Sequence, residues 1–118
     1  MSTATRAAKA SNPEVLNVIF GALSDPTRRA IVDQLMRGEA TMSQIASQFD
    51  MSLPGVSKHV SVLEDAGLVE RWRTGRVRRC RLNIDQMCVA NDWIGQRTAF
   101  WNDTLENLAN FVEEGDGR

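Results

Sequence analysis

The sequence has few of the residues that mark several common classes of protein. Its 118 residues include two cysteines, one histidine, three prolines and no tyrosine. Two cysteines are too few for a disulfide scaffold, and Cys80 and Cys88 do not have the Cys-x-x-Cys spacing of a structural zinc site. We therefore expect reduced thiols, no metal site and no cofactor.

Long apolar runs and catalytic motifs are also missing. No segment approaches the roughly 18 to 20 apolar residues of a membrane span, and the N-terminus lacks the apolar stretch of a secretory signal. There is no glycine-rich phosphate loop and no carboxylate pair beside a candidate nucleophile. These absences predict a cytoplasmic protein that is not an enzyme and does not enter a membrane.

The composition, 42% hydrophobic and 25% charged, is ordinary for one compact domain. A core of this size is small, so a partner subunit would help to stabilise it. Residues 1–12 are small and polar with no apolar period, which predicts a flexible N-terminal arm. The folded domain is predicted over 13–114, with a short flexible tail at 115–118.

The net charge of -1 conceals a strong asymmetry along the chain. Residues 1–81 carry twelve lysines and arginines against eight acidic residues, whereas residues 82–118 carry two against seven. One segment without acidic residues holds Arg71, Arg73, Arg76, Arg78, Arg79 and Arg81. Because like charges this close repel one another when nothing neutralises them, the segment predicts a polyanionic partner. The alternative is a solvated arginine-rich hairpin with no partner.

Cap signatures predict four helices in the first part of the chain. An Asn or Asp followed by Pro is typical of a helix start, and a Thr with Gln three residues later forms a capping box. Two short helices joined by a turn, the second capped by a hydroxyl residue, are typical of a helix-turn-helix. The predicted helices cover 13–23, 26–36 and 42–48, with a fourth from Ser52 to Gly67, and their caps are Asn12, Asp25, Thr41 and Ser52.

Two strand-like runs follow the fourth helix. Residues 68–73 and 77–82 are rich in Val, Trp and Arg and are separated by Thr74-Gly75-Arg76, which predicts a β-hairpin. This hairpin carries all six clustered arginines. The predicted fold is therefore mainly α with a small β-hairpin, a winged helix-turn-helix.

The last part of the chain has a seven-residue apolar repeat. From Asp85 onward a packing seam is predicted, and aromatic residues widen it beyond what one small domain covers. Part of this face is therefore expected to meet another subunit; the alternative is that it folds back on the first helix of the same chain. Gly95 is a candidate position for a kink. The seam comprises Met87, Ile94, Trp101, Leu105, Leu108 and Val112, widened by Trp93, Phe100 and Phe111.

Two runs of the sequence are distinctive, FGALSDPTRRAI at 20–31 and LPGVSKHVSVLEDAGLV at 53–69. Together they give the chain a close resemblance, over about 15–83, to the ArsR/SmtB family of bacterial winged-helix regulators. The resemblance implies a homodimer whose first and last helices form the interface and whose helix-turn-helix and wing bind an inverted-repeat operator, usually to repress transcription. The interface residues expected on this basis are Leu16, Ile19, Phe20, Trp93, Ile94, Trp101, Leu105, Leu108 and Val112.

The sequence departs from the family pattern at the metal sites. Metal-sensing members have a Cys-x-Cys in or beside the third helix, whereas residues 39–46 contain no thiol or imidazole. A second family site uses Asp and His on the last helix, but His59, the single histidine, lies in the fourth. Leu53 also replaces a polar residue found in many relatives. A regulator that does not respond to metals, with an unknown effector, is therefore predicted.

Helical geometry selects the residues expected to contact double-stranded DNA. With Val56 facing inward, a step of 100° per residue places Pro54, Ser57, Lys58 and Ser61 on the outward side, where they can contact base edges. His59 lies on the flank, and both a packing role and a phosphate contact remain open. Positions near helix starts and at the tip of the hairpin suit phosphates. These are Ser43, Gln44 and Ser52 at the helix starts, and Arg73, Arg76 and Arg78 on the wing.

Two alternative functions stay open. Cys80 alternates with Leu82 on one strand face, which is typical of a small core residue. In a redox-responsive repressor, neighbouring Arg79 and Arg81 would lower its pKa, and a disulfide with Cys88 would distort the wing and release DNA. The other alternative is a winged helix that serves as a protein-interaction module, although such a module does not need an arginine-rich wing.

Overall fold

The computed structural model describes residues 3–116 of the chain. Within these residues, short helices and a small sheet precede one long helix. The elements are α1 (Thr3–Ala10), α2 (Pro13–Ala22), α3 (Pro26–Leu35), β1 (Ala40–Thr41), α4 (Met42–Phe49), α5 (Leu53–Asp65), β2 (Val69–Thr74), β3 (Val77–Leu82) and α6 (Ile84–Asp116).

All four predicted caps are present. Thr41 and Gln44 form the full capping box, with Gln44 N donating to Thr41 Oγ1 at 3.1 Å and Thr41 N donating to Gln44 Oε1 at 2.8 Å. Ser52 Oγ accepts from Gly55 N at 3.2 Å and so fixes the start of α5. The two remaining caps, Asn12 and Asp25, accept hydrogen bonds from Glu14 N and Arg28 N. Local hydrogen bonding thus explains why the predicted helix starts are correct.

The sheet has one strand more than the predicted hairpin. The order is β1-β3-β2, all antiparallel, and Cys80 on β3 is paired with Ala40 on one side and Arg71 on the other. Gly75, with φ of 62°, occupies the left-handed conformation needed in the tight turn between β2 and β3. Since β1 has only two residues, its pattern is too short to be recognised in a sequence.

Helix α1 corrects the prediction of a flexible arm over 1–12. Arg6 Nε lies 2.7 Å from Asp92 Oδ2 on α6, and Lys9 Nζ lies 3.5 Å from Gln86 Oε1. Ala10 is almost fully buried. These contacts lie more than seventy positions apart in sequence, which is why the local pattern did not reveal them. Residues 1–2 lie outside the described residues.

The core lies between α2, α3, α4, α5 and the sheet, and α6 closes it with its first turns. Ile19, Ile31 and Leu63 are fully buried. Val89 and Ala90 extend this core onto α6, but every residue of α6 from Ile94 to Glu113 is exposed.

The long helix runs without interruption through Gly95. Its 33 residues extend about 50 Å at 1.5 Å per residue, in a molecule whose longest dimension is 74 Å. It continues to Asp116, beyond the predicted end of the domain at 114. Of the predicted tail, only residues 117–118 lie outside the described residues.

Candidate nucleic-acid interface

Helix α5 presents one exposed face. Val56, Val60 and Leu63 are fully buried, and Pro54 and Lys58 lie on the opposite, exposed side, as predicted. The exposed stripe also includes Leu53 and Val62, with 52% and 39% of their surfaces accessible. Val62 was not among the predicted contacts, although it follows Lys58 by four residues and so shares its face.

The two serines of α5 differ from the prediction. Ser57 and Ser61 are half-buried because they face β2, and each Oγ accepts a hydrogen bond from the guanidinium of Arg71. The apolar pattern of a helix shows which side faces the core. It does not show which side chains of the next strand pack beside that helix. Pro54 and Lys58 are therefore the most exposed of the four residues assigned to base contacts.

His59 lies beside another helix of the same chain. Its Nδ1 is 3.7 Å from Oδ2 of Asp25, the cap of α3, and its side chain is 24% exposed. A hydrogen bond from the Arg28 backbone N–H is the main cause that lowers the pKa of Asp25, with burial opposing and the charge of Arg28 assisting. Of the two roles left open for His59, this position favours packing between α5 and α3.

Residues at the starts of α4 and α5 have hydrogen-bond donors that could bind an anion. Ser43 is exposed in the first turn of α4. Gln44 and Ser52 use their side-chain oxygens as acceptors in the caps, so the Gln44 amide N–H groups and the Ser52 hydroxyl hydrogen remain outside the cap bonds. Donors beside helix N-termini suit phosphate oxygens.

The six arginines of the hairpin fall into two groups. The first group is neutralised: Arg71 pairs with Glu64 at 2.9 Å, Arg79 with Glu39 at 3.8 Å and Arg81 with Glu70 at 2.7 Å. The guanidinium of Arg81 also lies 5.1 Å from the ring centre of Trp72. Side chains at the base of the hairpin are therefore committed to contacts within the chain.

The second group is Arg73, Arg76 and Arg78 at the tip of the wing. All three are exposed, and none has an acidic partner within 4 Å among the described side chains, residues 4–113. Arg73 and Arg78 are direct cross-strand partners, an arrangement in which like charges destabilise the pair. An anion bound at the tip would relieve that repulsion.

A cleft joins the wing tip to the helix-turn-helix. Its volume is about 470 Å³, and its walls include Ser43 at the start of α4, Leu53 at the start of α5, and Arg76 and Arg78. The structure thus brings together predicted contacts that lie more than thirty residues apart in sequence.

The two cysteines are free, and Cys80 is unsuited to redox sensing. It is fully buried, and its thiol donates to Met42 Sδ at 3.2 Å. Burial raises its pKa to about 11, and the opposing charge of Arg71 offsets this only in part. The redox alternative required arginines to lower this pKa, whereas Arg79 and Arg81 pair with glutamates away from the thiol.

The residues predicted for a dimer interface divide into three groups. Ile19 is fully buried and Leu16 nine-tenths buried within their own chain. They have little surface available to a second subunit, so we exclude them from the proposed interface. Phe20 and Trp93 are half-buried and meet edge to face at 5.7 Å. The exposed group is Ile94, Trp101, Leu105, Leu108 and Val112.

Neither a metal-binding cluster nor a membrane-spanning helix occurs in the part of the chain that the structure describes. No three His, Cys, Asp or Glu side chains among residues 4–113 are grouped closely enough to hold a metal ion. No helix in this part of the chain is both long and apolar enough to cross a membrane.

Comparison with known proteins identifies the family. A helix-turn-helix domain family matches residues 23–71. The transcriptional repressor SdpR of Bacillus subtilis is 33% identical over 101 residues, which cover 86% of this chain and 97% of SdpR. A solved ArsR family transcriptional regulator is 42% identical, with a TM-score of 0.73, and the match covers 78% of this chain and 95% of that one. The chain belongs to the ArsR family of transcriptional regulators.

A second structure shows how such a domain is assembled elsewhere. A homodimeric winged helix-turn-helix DNA-binding domain from Mycobacterium bovis is 25% identical to this ArsR family protein, with a TM-score of 0.60. The match covers 91% of this chain and 93% of the other. The predicted winged helix-turn-helix fold is therefore confirmed: α4 and α5 form the helix-turn-helix, and β2 and β3 form the wing.

Proposed function

We propose that this ArsR family protein is a homodimeric repressor that binds an inverted-repeat operator in double-stranded DNA. The observation that carries the proposal is the group of three unpaired arginines at the wing tip, beside a cleft that leads to α4 and α5. Phosphates on both sides of a groove would neutralise these arginines while α5 contacts base edges.

In the proposed complex the exposed residues have distinct tasks. Pro54 and Lys58 contact base edges in the major groove, and Val62 adds an apolar contact. The donors of Ser43, Gln44 and Ser52 hold the phosphate backbone. Arg73, Arg76 and Arg78 bind phosphates or the adjacent minor groove.

The second copy would cover the exposed apolar side of α6. Trp101 and Leu108 are 60% and 57% exposed, and they continue the stripe that begins at the half-buried Trp93. Monomeric soluble proteins rarely expose large contiguous apolar patches. The relatives named as a repressor and as a homodimer support both parts of this proposal.

We also propose that metals do not regulate this protein and that it acts in the cytoplasm, where its DNA is located. Zinc or arsenite would need three or four converging thiolates or imidazoles. This sequence has one histidine and two cysteines, and Cys80 is buried against Met42. Addition of zinc or arsenite is expected to leave operator binding unchanged; release of DNA by either would contradict this part of the proposal.

The proposal is tested by titrating the protein into fluorescent genomic promoter fragments at two salt concentrations and sequencing the bound fraction. We expect enrichment of one inverted repeat, with affinity that falls steeply as salt rises. Absence of both enrichment and salt dependence would overturn the proposal and favour the protein-interaction module. Salt dependence without enrichment would restrict the function to non-specific DNA binding.

A further inference from the structure

One wing residue contacts α5 in a way that its position in the sequence did not suggest. Arg71 lies on β2 opposite the buried Cys80, so it belongs to the inner face of the sheet. Its side chain is only 22% exposed and reaches α5, whereas the tip arginines face solvent. Arg71 therefore joins the wing to the helix that is proposed to enter the major groove.

The guanidinium of Arg71 binds three side chains on one face of α5. Nη1 donates to Ser57 Oγ at 3.2 Å, and Nη2 donates to Ser61 Oγ at 3.0 Å and to Glu64 Oε1 at 2.9 Å. Ser57, Ser61 and Glu64 are spaced by four and three residues, the spacing of neighbours along one face of a helix. The carboxylate of Glu64 neutralises the guanidinium and holds it beside the two serines.

These contacts decide what the serine hydroxyls can offer to a ligand. A hydroxyl has one hydrogen to donate and two lone pairs to accept with. Arg71 occupies a lone pair of each oxygen, so each hydroxyl hydrogen turns away from the guanidinium. Donation from a cation also polarises the O–H bond and strengthens it as a donor.

We propose that Arg71 is a specificity-determining positioning residue, which turns Ser57 and Ser61 into hydrogen-bond donors toward DNA. This inference rests on the proposed function, because it requires α5 to lie in the major groove. Ser57 and Ser61 are both partly exposed, which the proposal requires if their hydroxyl groups are to reach base edges. Arg71 itself need not touch DNA.

A specific base preference follows from the chemistry of the groove. Guanine N7 and O6, adenine N7 and thymine O4 are acceptors, whereas cytosine N4 and adenine N6 carry donors. Guanine offers two adjacent acceptors and should be preferred by an O–H donor. Four residues of helix rise about 6 Å, close to two base-pair steps. Each operator half-site should therefore favour guanine at two positions about two base pairs apart.

The test is selection from a randomised duplex library with the full-length parent and three variants, Arg71→Ala, Arg71→Lys and the double variant Ser57→Ala, Ser61→Ala. Affinity for a duplex lacking the selected sequence is measured in parallel, together with the melting temperature. The matched control is Arg81→Ala, since Arg81 is also a wing arginine paired with a glutamate, but on the other face and away from α5.

For the parent we expect a preference for guanine of about fivefold at each of the two positions, the size of one hydrogen bond. Arg71→Ala should lose most of this preference at both positions while non-specific affinity stays within about twofold. The double serine variant should lose the same preference at the same positions. Arg71→Lys keeps the positive charge but loses the several N–H donors that the guanidinium holds in one plane. It should therefore lose the guanine preference at one position at least. Arg81→Ala should retain the parental profile.

A merely structural role for Arg71 would lower the melting temperature and weaken binding to all sequences alike, with the base preferences intact. That outcome would overturn the inference. If Arg71→Ala does not fold, Arg71→Lys and the serine variant decide, and a parental profile in either overturns it. A parent that selects no sequence would overturn the inference and the sequence-specific part of the proposed function together, whereas a parental preference retained by the Arg71 variants would overturn the inference alone.

A chemical probe gives an independent measurement. Replacing the two selected guanines by 7-deazaguanine removes the N7 acceptors without changing pairing. Guanine O6 remains as an acceptor, so the parent should lose up to about fivefold in affinity per position, and Arg71→Ala should lose little. Equal losses for both proteins would show that the acceptors are recognised without the help of Arg71.

Discussion

The wing and the distal part of α6 are both exposed, yet their chemistry is opposite. The segment 71–81 has six arginines and no acidic residue, whereas 98–116 has five acidic residues and no lysine or arginine. The wing tip offers charge, while the distal helix offers apolar surface, with Phe100 and Phe111 more than 70% exposed. One surface attracts a polyanion; the other repels it and is covered best by an apolar partner.

This comparison explains why the net charge of -1 is a poor guide to function. Seven of the fifteen acidic residues lie on α6, whose proposed partner is a second copy of the chain. Substitutions on the two surfaces are therefore expected to have separate effects. Variants of α6 should change assembly first, and variants of the wing tip should change DNA binding without changing assembly.

The largest effect is expected from acidic residues placed in the α6 seam. The double variant Trp101→Glu, Leu108→Glu buries two charges in the proposed interface and should give a monomer, which light scattering would detect. Because the two halves of an inverted repeat would then be bound separately, affinity should fall by about 100-fold or more.

The control for this experiment is Asn110→Glu, which adds an acid on the side of α6 opposite the seam. It should remain dimeric. A dimeric double variant with full affinity would contradict this prediction, since it would place the partner on another surface.

The next effect concerns the wing tip. Replacing Arg73, Arg76 and Arg78 by Ala should weaken binding to all sequences and reduce the slope of log affinity against log salt by about one unit for each phosphate that is no longer neutralised. The protein should stay dimeric. Fluorescence anisotropy across a salt series measures the slope, and Arg81→Ala serves as the paired-arginine control. An unchanged slope would remove these side chains from the proposed interface.

A smaller effect is expected at the cap that supports the helix-turn-helix. Thr41→Ala removes the acceptor for Gln44 N and should lower the free energy of unfolding by about 1 kcal/mol, measured by urea denaturation. Thr41→Ser keeps the hydroxyl and should stay close to the parent. Equal losses in both variants would point to the β1 position of Thr41 rather than to its cap.

The smallest effect concerns Cys80, which lies beneath the wing sheet. Its pKa is raised in the folded chain to about 11. The unfolded chain therefore ionises first as pH rises, and the stability contributed by the neutral thiol is lost between about 9 and 11. The free energy of unfolding should decline more steeply across this range in the parent than in Cys80→Ala.

Thiol labelling tests the low reactivity of Cys80 in a second way. At pH 8 a disulfide reagent should modify the half-buried Cys88 well before Cys80. Rapid labelling of Cys80 in the folded protein would revive the redox alternative.

Short-range signals in the sequence were sufficient for most of the secondary structure. The caps at Asn12, Asp25, Thr41 and Ser52 act within three residues, so the helix starts follow from local hydrogen bonds. The alternation of β-forming residues around Thr74-Gly75-Arg76 similarly predicted the hairpin. The exposed tip arginines were also predicted, because they bracket the turn.

Contacts between distant residues could not be predicted in this way. Helix α1 is stabilised by partners on α6, and β1 exists only because β3 lies beside it. The assignment of Ser57 and Ser61 to the open face of α5 did not account for Arg71, which reaches them from the wing.

The helix-turn-helix, the wing and the separation of basic from acidic segments all follow from the sequence, since each depends on neighbouring residues or on composition. Which arginines are neutralised and which are available depends on the fold. Arg71 and Arg73 lie on the same strand two residues apart, yet one is bound to α5 and the other is exposed. Pairing depends on which acidic and hydroxyl groups the fold brings within hydrogen-bond distance, and no local pattern encodes that proximity.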